Sequence, residues 1–449
     1  MTPGALGRLI PPWEPIRLLS KTSPGVELNS EVELSVPLAP PPFESGPFEK
    51  LGRTVWHAKH IELSPPNSFT DLQLSGPFKR WNHQHLFREM ENGTSQLRDC
   101  IDFELPFHPV STLFANWFVK MKLERTFRFR HARTENDLAR LNTIKRSHDT
   151  VLITGASGLV GRNLKAFLET AGYTVLTLTR GETSGENEYH WDIHKKSFPL
   201  EALERADAVV HLAGENIAAG RWTDEQKQRI RQSRIAGTEL LVAALSQVSD
   251  RPEVFISASA TGFYGSRGDE ELTEDADEGD LFVSKVAIEW EQETFKATEL
   301  GIRTVVPRIG VVITPEDGAL KKMLLPFLFG VGGPVGSGAQ WMSCIAIDDL
   351  VYALQFLLEE KSAVGVYNLT SPEPLTNKQF TKALVRTIRR PTLIPAPPFA
   401  LRAAFGEMAD ELLLASTRVL PKRLLEQGFT FTFPDIESSL AFSLGAKVA

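Results

Sequence analysis

The sequence predicts two kinds of architecture in one chain: an antiparallel α+β module up to about residue 140, then an α/β doubly wound parallel sheet closed by a small C-terminal domain. Three observations carry this. Residues from about 28 to 105 alternate apolar and polar with period two. From Thr150 onward, short apolar runs alternate with amphipathic helical stretches. One of those runs empties into a glycine-rich turn that opens a helix. Composition changes at the same place, because seven of the ten histidines precede residue 149 and ten of the 29 prolines lie within residues 1–47.

A chain of 449 residues, 42% hydrophobic and 23% charged, has the size and balance of two or three globular domains and excludes a disordered or fibrous protein. The net charge of −7 and a pI near 5.9 argue against a general nucleic-acid binder. Cys100 and Cys344 share no CxxC or Cys/His spacing, so neither a disulfide framework nor a structural zinc site is expected. No apolar run approaches the roughly 18 residues of a membrane span, and MTPGALGRLIPPW lacks the layout of a signal peptide. A cytoplasmic protein without a membrane span is the expectation.

In chain order, Val32, Leu34, Val36 and Leu38 alternate with Glu31, Glu33 and Ser35, and Ile101, Phe103 and Leu105 with Asp102 and Glu104, as in strands with one wet face. From Val110 to His131 the spacing turns helical, with Phe114, Trp117, Phe118 and Met121 on one stripe. Parallel strands are predicted at 150–153, 174–179, 208–212, 254–257 and 303–306. Thr223 and Gln226 form a capping-box pattern before a helix between the third and fourth of these strands. Past about 395 the pattern reads as helices and then a short strand at GFTFTFP.

The strongest local signal is TVLITGASGLVGRNL, in which a buried strand meets Gly155, Gly158 and Gly161 and then a helix ending near Ala171. This is the dinucleotide-binding turn of a Rossmann-like fold. The first glycine allows the sharp turn, the second lets a pyrophosphate approach the backbone, and the third packs helix against strand. The helix N-terminus then presents free N–H groups to phosphate. Nineteen residues after Gly161, where NAD enzymes place an acid for the ribose 2′-hydroxyl, stands Arg180, which suits the 2′-phosphate of NADP; Glu182 beyond it keeps NAD open.

TGASGLVG, HLAGENIAAGRWT, SASATGFYGSRGDEELTE, RIGVVI and GSGAQWMSCIAIDDL, in this order, resemble the extended short-chain dehydrogenase/reductase superfamily, and within it the epimerase-like oxidoreductases sometimes labelled cell-division inhibitors. The resemblance implies an NADP-binding Rossmann epimerase-like domain over 149–395 and the family's small C-terminal domain over 396–449. SGPFKRWNHQHLF, DCIDFELPF and KLERTFRFRH resemble a polyketide cyclase/START-like module, implying a helix-grip domain over 1–140 that holds an apolar ligand. That module looks shortened at its N-terminus, since the chain opens almost at GALGRLIPPWEP.

The resemblance further implies that Gly155, Ser157, Gly158, Leu159, Gly161 and Arg180 hold the adenosine and diphosphate. Asp192 would lie near the adenine, and His211, Leu212, Ala213 and Gly214 would line the cofactor. Ser259 matches the substrate-polarising serine, or else bonds its own turn. The Tyr-x-x-x-Lys pair of the superfamily is broken: Lys285 is present to bind the ribose, but Leu281 stands where the tyrosine would transfer a proton. Tyr264 is the nearest other phenol, with packing behind the strand as its alternative role. A second departure is Ala346, where relatives commonly carry a histidine, and Asp348 is expected to cap the next helix. The implied activity is an NADP(H)-dependent oxidoreductase or epimerase-like enzyme acting on a small carbonyl or sugar-like substrate; the alternative is an NADP(H) sensor without turnover. The acidic run DEELTEDADEGD reads as a solvated loop. His83 and His85 share a strand face, but sequence places no third ligand beside them, so no metal is expected.

Overall fold

The computed structural model describes residues 3–446 except 24, 38–51, 107–114, 184 and 392–393. It forms two compact units, Met1–Thr134 and Glu135–Ala449.

The first unit opens on α1 (Ala5–Leu9) and builds one antiparallel sheet whose spatial order is its sequence order: β1 (Arg17–Lys21), β2 (Glu31–Pro37), β3 (Arg53–Ser64), β4 (Ser68–Ser75), β5 (Arg80–Glu89) and β6 (Ser95–Glu104). The helix α2 (Ala115–Thr143) follows. In the β5–β6 register Trp81 stands opposite Phe103 and His83 opposite Ile101, so the alternating residues share one face and a one-residue slip would turn them all over.

The sequence pattern misjudges which side of α2 is buried. Leu38, Val110 and Phe114 lie outside the described residues, and Trp117 and Met121 are 70% and 44% exposed. Within the first unit the buried stripe is Thr126, Phe129 and Arg133. Thr126 Oγ1 donates to Glu14 Oε1, the Arg133 guanidinium lies 4.5 Å from the Phe129 ring centre, and Arg130 Nε donates to the Leu9 carbonyl. An arginine buries an apolar stem while carbonyls satisfy its head, which hydrophobic periodicity cannot register.

The second unit contains, in order, β7 (Thr150–Thr154), α3 (Leu159–Thr170), β8 (Thr174–Thr179), β9 (Glu188–His190), α4 (Leu200–Glu204), β10 (Ala208–His211), α5 (Asp224–Leu245), β11 (Val254–Ser257), β12 (Ser259–Ala260), β13 (Glu271–Leu272), α6 (Phe282–Phe295), β14 (Arg303–Ile309), β15 (Val311–Ile313), α7 (Gly318–Leu328), β16 (Trp341–Met342), β17 (Cys344–Ala346), α8 (Ile347–Glu359) and β18 (Gly365–Leu369). All the pairings in its main sheet are parallel, in the order β9-β8-β7-β10-β11-β14-β18, with β12 also on β14. Strand order reverses between β7 and β10, where doubly wound folds open their ligand crevice. Helices cover both faces. Val151, Ile153 and Ile256 pack with Leu164 of α3 and Leu350 of α8, while Leu152, Val209 and Phe255 pack with Leu241 and Leu245 of α5. Burial on both sides is why these strands read as continuous apolar runs.

The unit closes with β19 (Leu375–Thr376), α9 (Asn377–Ile388), α10 (Pro398–Phe405), β20 (Arg418–Val419), α11 (Lys422–Glu426) and α12 (Ile436–Ser443). Four expectations change here. The GFTFTFP segment is not a strand, because the N–H groups of Thr432 and Phe433 donate to the Asp349 carboxylate instead of a neighbouring backbone. Asp348 does not cap α8; Ala346 is the N-cap and Asp348 lies buried in the first turn. Thr223 caps α5 by accepting from the Gln226 N–H, but the Gln226 side chain is taken by Arg229, so the box is only half formed. The acidic run is pinned rather than freely solvated: β13 pairs with β20, Asp275 binds Arg423, and buried Glu274 accepts from the backbone N–H groups of Asn368 and Arg423. Both cysteines are free thiols. Among the described residues no helix is long and apolar enough to cross a membrane.

Candidate dinucleotide and substrate site

The turn after β7 shows why it needs glycines. Gly155 has φ +70°, and a Cβ there would sit 2.8 Å from the carbonyl carbon of Leu212 at the end of β10. A Cβ on Gly161 would lie 2.2 Å from the Gly155 carbonyl oxygen, so α3 packs against the turn only without a side chain. Gly158 is the N-cap of α3 and brings no side-chain cap, while Ser157 and Gly158 are exposed and Leu159 is half-buried. The first turn of α3 thus keeps the donor arrangement that suits a diphosphate. Glu316 anchors the helix, accepting from Arg162 Nη2 at 3.0 Å and Asn163 Nδ2 at 3.1 Å.

The backbone that faces this turn is held by a buried relay. Thr154 Oγ1 accepts from the N–H groups of Leu212 and Ala213, both at 3.1 Å, so its proton points to His211 Nδ1, 2.7 Å away. His211 Nε2 then carries the ring proton toward Thr238 Oγ1, which in turn donates to the Arg234 carbonyl and accepts from Trp290 Nε1. Burial pushes the His211 imidazole down to about 4, so it stays neutral. His211 therefore acts beneath the site, fixing Leu212, Ala213 and Gly214. Arg234 lies under Gly214, its Nη1 donating to the carbonyls of Glu215 and Ile230, and was not singled out by the sequence.

Arg180 is exposed at the C-terminal end of β8, with Glu182 exposed beyond it. Asp192 is turned onto its own loop, where its Oδ1 accepts from the N–H groups of His194 and Lys195. Those bonds, chiefly the one from Lys195, hold its carboxyl below the usual range.

The residues proposed for chemistry separate into two places. Ser259 is buried and donates its only hydroxyl proton to Glu291 Oε1 at 2.6 Å. Glu291 also receives Arg308 Nε and Nη2, both at 2.8 Å, and Arg308 Nη1 donates to the Tyr264 hydroxyl, which donates to Asn368 Oδ1. Tyr264 is fully buried, and burial raises its phenol above the ordinary value. In this structure Tyr264 belongs to a buried polar network and is not exposed. Glu291 and Arg308 escaped the sequence reading, although an arginine inside the apolar strand RTVVPRI was a signal for a buried partner. Leu281 is the N-cap of α6, and Lys285 is exposed one turn later. Neither joins the Ser259 network. The first N–H groups of α6, at Phe282 and Val283, are capped instead by the carboxylate of Glu411, both at 3.1 Å.

Residues 151–370 match the NAD dependent epimerase/dehydratase family, and residues 396–442 match a domain of unknown function, DUF1731. An epimerase family protein of Mycobacterium bovis is 41% identical over 293 residues, 65% of this chain and 97% of that protein; the Bacillus subtilis protein YfhF is 37% identical over 295 residues, covering 65% and 96%. Among solved structures, a nucleoside-diphosphate sugar epimerase from Corynebacterium glutamicum is 32% identical with a TM-score of 0.78, over 99% of this chain and 86% of that one. The human epimerase family protein SDR39U1, solved with NADPH, is 32% identical with a TM-score of 0.60, over 66% of this chain and 99% of that one. With its glycine turn at the strand-order switch and relatives matched along nearly their whole length, the chain belongs to the NAD-dependent epimerase/dehydratase family of short-chain dehydrogenase/reductase-like proteins and carries the DUF1731 domain at its C-terminal end.

Proposed function

We propose that the protein is an NADP(H)-dependent oxidoreductase acting slowly on a small carbonyl or sugar-like substrate. The observation that carries this reading is the pairing of a steric cradle at Gly155 and Gly161 with Arg180 at the end of β8. Gly155, Ser157, Gly158, Leu159 and Gly161 would receive the diphosphate, Arg180 the 2′-phosphate, and Lys285 the nicotinamide ribose. Bound there, the cofactor supplies a hydride. This chain's own residues supply position, but none of the three candidates offers a ready proton: Leu281 has none, Tyr264 is buried, and the Ser259 hydroxyl hydrogen is engaged in its bond to Glu291. Protonation of a reduced carbonyl then falls to water, and losing a positioned acid lowers turnover by about 10²- to 10⁴-fold. The NADPH in the human relative supports the phosphate preference. On this plan residues 149–395 bind the cofactor and 396–449 close the substrate side. Residues 1–140 form a START-like module for an apolar ligand, supported by its antiparallel sheet and following helix.

Calorimetry tests the cofactor. NADPH should bind more tightly than NADH, and Arg180→Ala should weaken NADPH by roughly 10- to 100-fold while leaving NADH unchanged. Tighter NADH binding by the parent protein sinks the assignment. Leu281→Tyr should raise NADPH oxidation across a panel of aldehydes and ketones. The same absences favour a second reading, a sensor of NADP(H) without turnover, and a panel giving no oxidation by either protein while NADPH still binds would select it.

A further inference from the structure

The first unit holds a cluster independent of the dinucleotide site. His83 and His85 lie two residues apart on β5, hence on one face; register sets Asp71 of β4 opposite His83 and Asp99 of β6 opposite His85. We infer that Asp71, His83 and His85 bind a divalent transition-metal ion of the zinc class, with Asp99 as the carboxylate that orients both rings.

The hydrogen bonds divide the four ring nitrogens into two sets. Asp99 Oδ1 is 3.0 Å from His83 Nε2 and 2.7 Å from His85 Nδ1, and its other oxygen is bonded by His131 Nε2 of α2. Ring protons directed at Asp99 leave lone pairs on His83 Nδ1 and His85 Nε2, and these two atoms converge on Asp71 Oδ1 at 3.3 and 3.5 Å. Ligands held about 2.0–2.1 Å from a tetrahedral ion lie roughly 3.3 Å from one another. Two edges of the triangle are close to that length, and Asp71, His83 and His85 can each offer one ligand atom within 4.8 Å of the others.

With both ring protons directed at Asp99, the Asp71 oxygen faces two imidazole lone pairs, an arrangement that a cation among them completes. A second proton on each ring would set two imidazolium cations, tilted at 47°, with centroids 3.9 Å apart, whereas one divalent ion supplies the same charge at one point and leaves both rings neutral. The rings are held for this: Phe69 stacks on His85 at 4.0 Å and 18°, and Phe127 of α2 packs edge-on against His83 at 5.3 Å. A carboxylate accepting the far N–H of metal-bound histidines is the usual outer support of such sites. Two imidazoles and one carboxylate suit zinc, iron(II) or cobalt(II) over calcium or magnesium, which favour all-oxygen sets. Three protein ligands leave a coordination position for water or an anionic oxygen ligand.

Cobalt(II) is the probe, added to chelator-stripped full-length protein and followed by visible ligand-field absorption, with zinc competition and elemental analysis for stoichiometry. The parent should bind a single ion saturably. Asp71→Asn and His85→Gln should each weaken binding at least about tenfold, and Asp99→Asn by about 10- to 100-fold. His194→Gln, at an exposed histidine of the second unit, should leave binding unchanged. Circular dichroism checks that the near-isosteric variants fold. No saturable cobalt binding by the parent, or binding indifferent to both Asp71→Asn and His85→Gln in folded protein, overturns the site.

Discussion

Ser259, Glu291, Arg308 and Tyr264 form a chain of obligations in which each buried polar atom depends on the next. Glu291→Gln removes the one carboxylate that, among the described residues, meets the Arg308 guanidinium directly, leaving a buried charge without that counterion. It should cost about 3–5 kcal/mol in denaturant unfolding. The double variant Glu291→Leu, Arg308→Met should cost less than Glu291→Gln alone, because it removes both charges together; an equal or larger loss would show that the network supports more than the pair. Ser259, Tyr264 and Lys285 could be picked out in the sequence through the motifs that resemble the family. Their hydrogen-bonding states could not, since the acceptor of the Ser259 hydroxyl comes from α6 and the two partners of Tyr264 come from β14 and β18. The metal ligands show the same limit: two histidines at i and i+2 were visible, but Asp71 and Asp99 join them only through strand register.

Among the elements, α3 depends most on one position. Gly161→Ala places a methyl group 2.2 Å from the Gly155 oxygen, so the helix must move off the turn. Fluorescence titration should show NADPH affinity falling by at least about tenfold, together with a lower melting temperature; unchanged binding would mean that the turn is not where the cofactor lies. For α6, Glu411→Ala uncaps two N–H groups and should cost about 1–3 kcal/mol, measured by chemical denaturation. The parallel strands and α3 were readable because burial on both faces writes itself as continuous apolar runs. The buried side of α2 was not, because Arg133 and Thr126 look like surface residues until Arg8 and Glu14 meet them.

At the scale of the molecule, the second unit carries a built-in acid sensitivity. Burial raises the Glu359 carboxyl, but donors from His148, Ser147 and Tyr173 outweigh it and hold the group at about 2 against an ordinary 4.5. Because the folded value lies below the unfolded one, the stabilisation is complete above pH 4.5 and is lost as pH falls toward 2. The shift corresponds to about 3 kcal/mol. Denaturant midpoints taken down this range should fall in the parent, whereas Glu359→Gln should start lower near neutral pH and decline less steeply; parallel curves would remove Glu359 as the cause. A change of pattern near residue 150 was legible, but the ties that close the second unit were not, since they join residues far apart in sequence. The pairing of β13 with β20, together with the Arg423 contacts to Glu274 and Asp275, has a consequence for synthesis. While the protein is being translated, the acidic loop emerges long before the residues that neutralise it. Until Arg418 to Arg423 leave the ribosome, Glu274 lacks one of its backbone donors and Leu272 its strand partner, so the nascent second unit stays incompletely closed until that segment has emerged.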